Sequence, residues 1–148
     1  MFWNIICLKF SMEQFTLDKD INVFYIMAKS FPDGIKEAHE TLHSLVPFAV
    51  GRRFFGISRP EKGVITYKAA AEEMYDGEAE KLNLQTFIIK SGEYTFEKIF
   101  DFHKNLNSFD ETFKKLLTHP DIDAKGYCVE WYLNDKDVIC MVRLENKY

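Results

Sequence analysis

The sequence predicts an α+β fold, built from duplicated βαββ units whose strands form antiparallel sheet, with two helices on one face. The other sheet face is then solvated, covered or used. Three observations carry this. The chain has 148 residues and is 47% apolar with fourteen Phe, enough for one domain with one core. Apolar runs rich in β-branched and aromatic residues alternate with stripes of three- and four-residue spacing. The order of these elements occurs twice.

The first unit spans 21–74. Ile21–Met27 is β-branched and aromatic and reads as a strand. Ser30-Phe31-Pro32-Asp33 looks like a helix start with Pro in the first turn. Ile35, Ala38, Leu42 and Leu45 then mark an amphipathic helix that ends near Pro47. Arg53–Ser58 and Val64–Ala71 form a hairpin across Arg59-Pro60-Glu61-Lys62-Gly63. The second unit, 84–145, repeats the order after a linker at Tyr75-Asp76-Gly77-Glu78. Leu84–Lys90 is a strand that can continue through a bulge past Gly92 to Ile99. Ser108 and Glu111 have capping-box spacing, and Phe109, Phe113, Leu116 and Leu117 give a second helix, stopped at His119-Pro120. Tyr127–Leu133 and Val138–Leu144 form the closing hairpin across 134–137. The runs 64–73 and 138–146 align as counterparts.

Residues 1–20 are expected to be an N-terminal extension before a single domain over 21–148. Met1–Phe10 is apolar and aromatic, too short for a membrane helix and without a basic leader or small-residue cleavage site. Translation is expected to start at Met12, with a terminal strand as the alternative. The formal charge of −4 gives no footprint for phosphate backbones or anionic lipid, so neither direct nucleic-acid nor membrane binding is expected. Three unevenly spaced cysteines make no disulfide framework, which points to the cytoplasm.

One strand carries a carboxylate among aromatic side chains. An even loop at 134–137 places Leu133 opposite Val138 and Glu130 opposite Met141. On that register Val129, Trp131, Leu133 and Cys140 share an apolar face that belongs against the helices. Cys128, Glu130, Tyr132, Ile139, Met141 and Arg143 share a mixed face, apolar with few polar groups, as ligand sites are. An odd loop would flip the assignment. The aligned repeat adds Tyr67 to the mixed face, and Phe55 and Ile57 are further candidates. The alternative is that Glu130 only pairs with Arg143 on a solvated sheet.

Other patterns are weaker. His39-Glu40-Thr41-Leu42-His43 matches H-E-x-x-H on a helix, a spacing that can hold zinc. Strands follow where a third ligand is usually supplied, so ordinary flank histidines are expected and no metal is assigned. Arg52-Arg53 reads as structural at a strand start, and Cys128 as wall, since no predicted pocket strand brings it a histidine.

The run 126–145, the run 84–99, Glu130-Trp131-Tyr132, Gly92-Glu93-Tyr94 and the repeated order together resemble the GyrI-like small-molecule-binding domain. This family is related to the effector-binding domains of bacterial multidrug-responsive transcription regulators. The resemblance covers 21–145. It implies an aromatic cleft between the two halves, away from the helices, with a central Glu that meets cationic or polar amphipathic ligands. Glu130, Tyr132, Tyr67, Met141, Phe55 and Tyr94 are the candidate ligand-binding residues, with no cofactor. Some members of the family are hydrolases that use this Glu as a general base, so Glu130 is also the candidate catalytic residue. No helix-turn-helix is expected before the first strand. The expected role is thus a stand-alone sensor or sequestering module, with a separate regulator protein or a second copy as partner.

Overall fold

Runs of β-branched and aromatic residues become strands because their side chains pack well on a pleated surface. The computed structural model describes residues 13–145. Eight strands form one antiparallel sheet: β1 (Glu13–Leu17), β2 (Ile21–Met27), β3 (Phe54–Glu61), β4 (Val64–Glu72), β5 (Gln85–Ile89), β6 (Gly92–Ile99), β7 (Cys128–Tyr132) and β8 (Val138–Arg143). Three helices accompany it: α1 (Ile35–Leu45), the single turn α2 (Glu78–Lys81) and α3 (Ser108–Leu116). The α+β class and the antiparallel sheet are as the sequence predicts. Met1–Phe10 and Met12 lie outside the described residues. Within the expected extension, Glu13–Leu17 is a sheet strand, paired to β6.

The strand order is β1-β6-β8-β7-β3-β4-β2-β5, which places the β3–β7 pair at the centre. This order forces the sheet to curl. β5 and β6 stand six positions apart, roughly 29 Å in a flat sheet. Only Lys90 and Ser91 link them, a reach of at most about 11 Å. The far ends must therefore approach each other, and Gly92, at φ 133°, makes the corner. The two segments are separate strands, β5 at one edge of the order and β6 next to the other edge, where the sequence allowed one bulged strand.

The curl gives the two faces different cores. The inner face carries Ile21, Val23, Phe55, Ile57, Ala70, Ile89, Tyr94, Val129 and Met141, packed on one another without a helix. On the outer face α1 sets Ala38 and Leu42 on Phe24, Tyr67, Ala69 and Ala71. Next to it α3 sets Leu116, Phe109 and Phe113 on Cys140 and Val142. Both longer helices thus cover the same face, one on each half.

Local details explain the remaining departures. Lys62 and Gly63 both have positive φ and form a tight two-residue turn, so β3 runs on through Pro60. β7 pairs with β3 only as far as Ser58, so no neighbour on that side calls on the N–H that Pro60 lacks. The expected capping box is not made. Asn107 is the N-cap residue of α3 without a side-chain bond, and Ser108 Oγ donates instead to the Asn105 carbonyl. Arg52 is structural: its guanidinium donates to both oxygens of Glu78 at 2.9 and 2.8 Å, with both side chains buried. This pair ties α2 to the start of β3, and Arg53 forms a second ion pair with Glu72.

Candidate functional site

The closing hairpin decides which side chains meet Glu130. Tyr132 pairs with Val138, so the loop has five residues, 133–137. The Leu133 N–H donates to the Asp137 carbonyl, and the Asn134 side chain accepts from the Lys136 and Asp137 N–H groups, which stabilises the odd length. Glu130 therefore stands opposite Cys140, not Met141. Met141 falls on the inner face with Val129, and Phe55 and Tyr94 join it there. Those three candidates are core residues away from Glu130; the Tyr94 hydroxyl donates to the Lys90 carbonyl at 2.6 Å. The Glu130 side is also the helix-bearing side, which corrects the expected placement of its face away from the helices. Arg143 is not its partner either, since that guanidinium binds Ser91 O and Asp123.

The remaining three candidates come together. Tyr67 and Tyr132 both donate to Glu130 Oε1, at 2.8 and 2.6 Å. The site lies between the two helix-covered halves. β7 supplies Glu130 and Tyr132, and β4 supplies Tyr67 across β3. Between them β3 presents Gly56, directly opposite Glu130. A Cβ at Gly56 would lie 2.0 Å from Tyr67 Oη and 2.5 Å from Glu130 Oε1. The missing side chain is thus the space in which the phenol and the carboxylate meet. Sequence reasoning missed Gly56, although a lone glycine inside a strand is a signal for close approach.

A fourth polar group comes from α1. His39 Nε2 lies 2.7 Å from Tyr67 Oη. The Tyr67 hydroxyl has one proton and gives it to Glu130, so with the carboxylate ionised His39 must donate through an Nε2–H. The chain runs from His39 to Tyr67 to Glu130, and Tyr132 closes it from the other side. The H-E-x-x-H pattern therefore singled out a site residue for the wrong chemistry. His43 instead packs on Phe54, with ring centroids 4.5 Å apart. Among the described residues no group of three metal-ligating side chains occurs. Aromatic rings complete the surround: Phe31 beside Tyr67, and Phe102 edge-on to Tyr132.

The electrostatics follow from burial. Glu130 is 8% exposed and has no ion pair among the described residues. Desolvation raises its pKa, and the bonds from Tyr132 and Tyr67 offset this in part. Burial, and then the nearby carboxylate, push both phenols well above their usual range. Burial pushes the Cys128 thiol up to about 11, which makes it a poor nucleophile at neutral pH. Burial, helped by His43, lowers His39 to about 4. Unfolded His39 takes up its proton near 6.5, whereas the folded ring stays neutral to about 4. Stability is therefore expected to fall as the pH drops through that window. Denaturant melts of wild type and His39→Gln across it check this: the slope should be shallower in the variant, and parallel slopes would remove His39 as the cause.

A group of about 580 Å³ of open space lies elsewhere, as a shallow groove along Tyr25, Ala79, Glu80 and Asn83–Thr86. At the Glu130 group, the space a side chain at position 56 would take is occupied by Tyr67 Oη and Glu130 Oε1.

Solved structures with this arrangement of elements are known. An integron cassette protein from the mobile metagenome of Vibrio cholerae superposes with a TM-score of 0.64 at 11% identity, over 90% of this chain and 95% of that one. The protein SAV2435, bound to tetraphenylphosphonium, matches with 0.61 at 9% identity, over 92% and 94%. A hydrolase from Listeria innocua matches with 0.58 at 13% identity, over 90% of each chain. The chain shares the fold of these three proteins, which is consistent with its resemblance to the GyrI-like domain. No protein-family model and no curated protein sequence matches the chain. At these identities the likeness is one of architecture, and it extends over nearly all of the described residues.

Proposed function

We propose that this chain binds a small lipophilic cation at Glu130, as a sensor or sequestering module that hands its signal to a separate protein or to a second copy. The observation that carries the reading is a buried carboxylate with no cationic partner among the described residues, held by two phenols and ringed by aromatic groups. A buried charge costs several kcal/mol unless it is paired. A ligand that brings a delocalised positive charge relieves that cost and gains from the ring faces. The tetraphenylphosphonium on SAV2435 shows that one protein of this fold takes such a cation. Among the described residues no helix is long and apolar enough to cross a membrane.

The test is thermal unfolding with tetraphenylphosphonium and with neutral triphenylphosphine oxide. At a ligand concentration a hundredfold above Kd, wild type should gain roughly 5–10 °C with the cation. Glu130→Gln should lose most of that gain, and the neutral compound should do little in either protein. Equal gains in both proteins would remove Glu130 from the reading.

A second reading is hydrolysis with Glu130 as general base. It is favoured by the raised pKa of the carboxylate and by the hydrolase among the structural neighbours. Turnover of activated esters and epoxides that disappears in Glu130→Gln would support it. Binding without turnover would leave the module reading in place.

A further inference from the structure

The inner face of the sheet ends in a second cluster that the Glu130 reading does not use. Lys68 on β4 alternates with Tyr67, so it points to the inner face while Tyr67 points out. Its residue is 6% exposed, yet the ammonium makes no hydrogen bond or ion pair among the described residues. It sits instead among three rings, 5.3 Å from the centroids of Tyr25 and Phe87 and 5.5 Å from that of Tyr127. Arg59 on β3 approaches the same Tyr127 ring at 4.7 Å. Its guanidinium donates only to the Lys125 carbonyl and has no carboxylate partner among the described residues.

Two cations that share one ring lie at most about 10 Å apart and repel each other. In a chain with 23 acidic residues and a net charge of −4, neither is matched by an acid here. By contrast, Arg52, Arg53 and Arg143 each have a carboxylate. The rings are held in place: Phe87 stands edge-on to Tyr127 with centroids 4.9 Å apart, and the Tyr25 hydroxyl donates to Gln85 Oε1 at 2.7 Å. Tyr25 also borders the shallow groove. Lys68 itself is nearly buried, but Tyr25, Phe87, Tyr127 and Arg59 around it are each only half-buried, so the cluster keeps part of its surface exposed.

We propose that this open end of the curled sheet is a second binding site, which takes an amphipathic organic anion. The carboxylate or sulfonate head would sit between Lys68 and Arg59, and the apolar body would lie along Tyr25, Phe87 and Tyr127. An anion there offsets both charges at once, and a partly desolvated pair of donors holds it more tightly than surface lysines would. The site is independent of the Glu130 reading, because Tyr67 and Lys68 look to opposite sides of one strand.

The probe is naphthalene-2-carboxylate, titrated calorimetrically against the full chain at low salt, with 2-naphthylmethanol as its uncharged counterpart. The expected result is saturable binding of the carboxylate, at least about tenfold tighter than the alcohol. Lys68→Met keeps the stem that packs against the rings and removes the charge, and should weaken the carboxylate about tenfold. Arg59→Gln, on a half-buried side chain, should weaken it by a smaller factor, and decides the matter if Lys68→Met does not fold. Glu130→Gln should leave the affinity unchanged. No saturable binding to wild type, equal affinity for acid and alcohol, or equal affinity in wild type and both cation variants would each overturn the proposal. So would a loss of carboxylate binding in Glu130→Gln.

Discussion

Gly56→Ala is expected to destabilise the protein by about 3 kcal/mol and to abolish any gain in melting temperature from tetraphenylphosphonium. The new methyl carbon would lie 2.0 Å from Tyr67 Oη, 2.7 Å from Tyr67 Cζ and 2.5 Å from Glu130 Oε1. Tyr67 is 1% exposed and packed under α1, so the ring cannot swing into solvent. The β3 backbone must shift, or the ring must leave its place. Overpacking of this kind costs about 1–3 kcal/mol, and a carboxylate stripped of a hydrogen bond costs about 1.5–3 kcal/mol. The two overlap, because displacing the ring relieves the clash. Urea melts measure the loss, and a stability within about 0.5 kcal/mol of wild type would show that the close approach is not required. In the double variant with Tyr67→Phe the nearest clashing atom is gone. Its loss of stability should therefore be smaller than the sum of the two single losses, a coupling expected only between touching groups.

Arg52→Met should cost about 3–5 kcal/mol, the usual range for removing one partner of a buried pair. Both side chains are nearly inaccessible, 3% and 4% exposed. Glu78 also accepts from the Met74 N–H at 2.9 Å, so the pair closes the loop before α2 as well as tying it to β3. The variant leaves that carboxylate buried with one donor. The Arg52 guanidinium holds Glu78 below its ordinary 4.5, so the pair stabilises above that value and the contribution is lost as the pH falls through the depressed pKa. Guanidinium melts near pH 7 check the magnitude. A further change of Glu78 to Leu should recover a large part of the loss, since an apolar pair can replace a buried ionic one. If the single variant costs less than about 1 kcal/mol, water reaches the pair and it is not the lock described. Neither change touches the Glu130 group, so the cation response of the folded protein should persist in both.

Parts of the fold were legible because their signals are local. Ile21–Met27 and the stripe Ile35–Leu45 form as read, since an apolar alternation or a three- and four-residue stripe is a property of one segment. The helix, however, opens at Gly34 and not at residues 30–33, which form a bend and turn before it. The site was half legible for the same reason. Glu130 and Tyr132 share a strand face by alternation alone, and Tyr67 reached the correct face even though its supposed counterpart Met141 did not. Met141 was drawn to the site by a hairpin register that a single extra loop residue changes, Phe55 by the less certain register of the first hairpin, and Tyr94 by the Gly92-Glu93-Tyr94 resemblance. His39 was visible as a pattern, but its partner Tyr67 is 28 residues away and is supplied only by packing α1 on β4. Gly56 carries no side chain to draw attention, and its role exists only because β3 lies between the strands that bear Tyr67 and Glu130.

The Glu130 strand shows where the division falls. The sequence by itself determined that Cys128, Glu130 and Tyr132 point one way and Val129 and Trp131 the other, because side chains alternate along any extended chain. It did not determine which way is out. That depends on a five-residue loop, on the curl forced by the short link from β5 to β6, and on two helices settling on the same face. These are contacts between segments far apart in the chain. Only the tertiary structure therefore placed Glu130 under the helices, with His39 in reach and Lys68 on the opposite side.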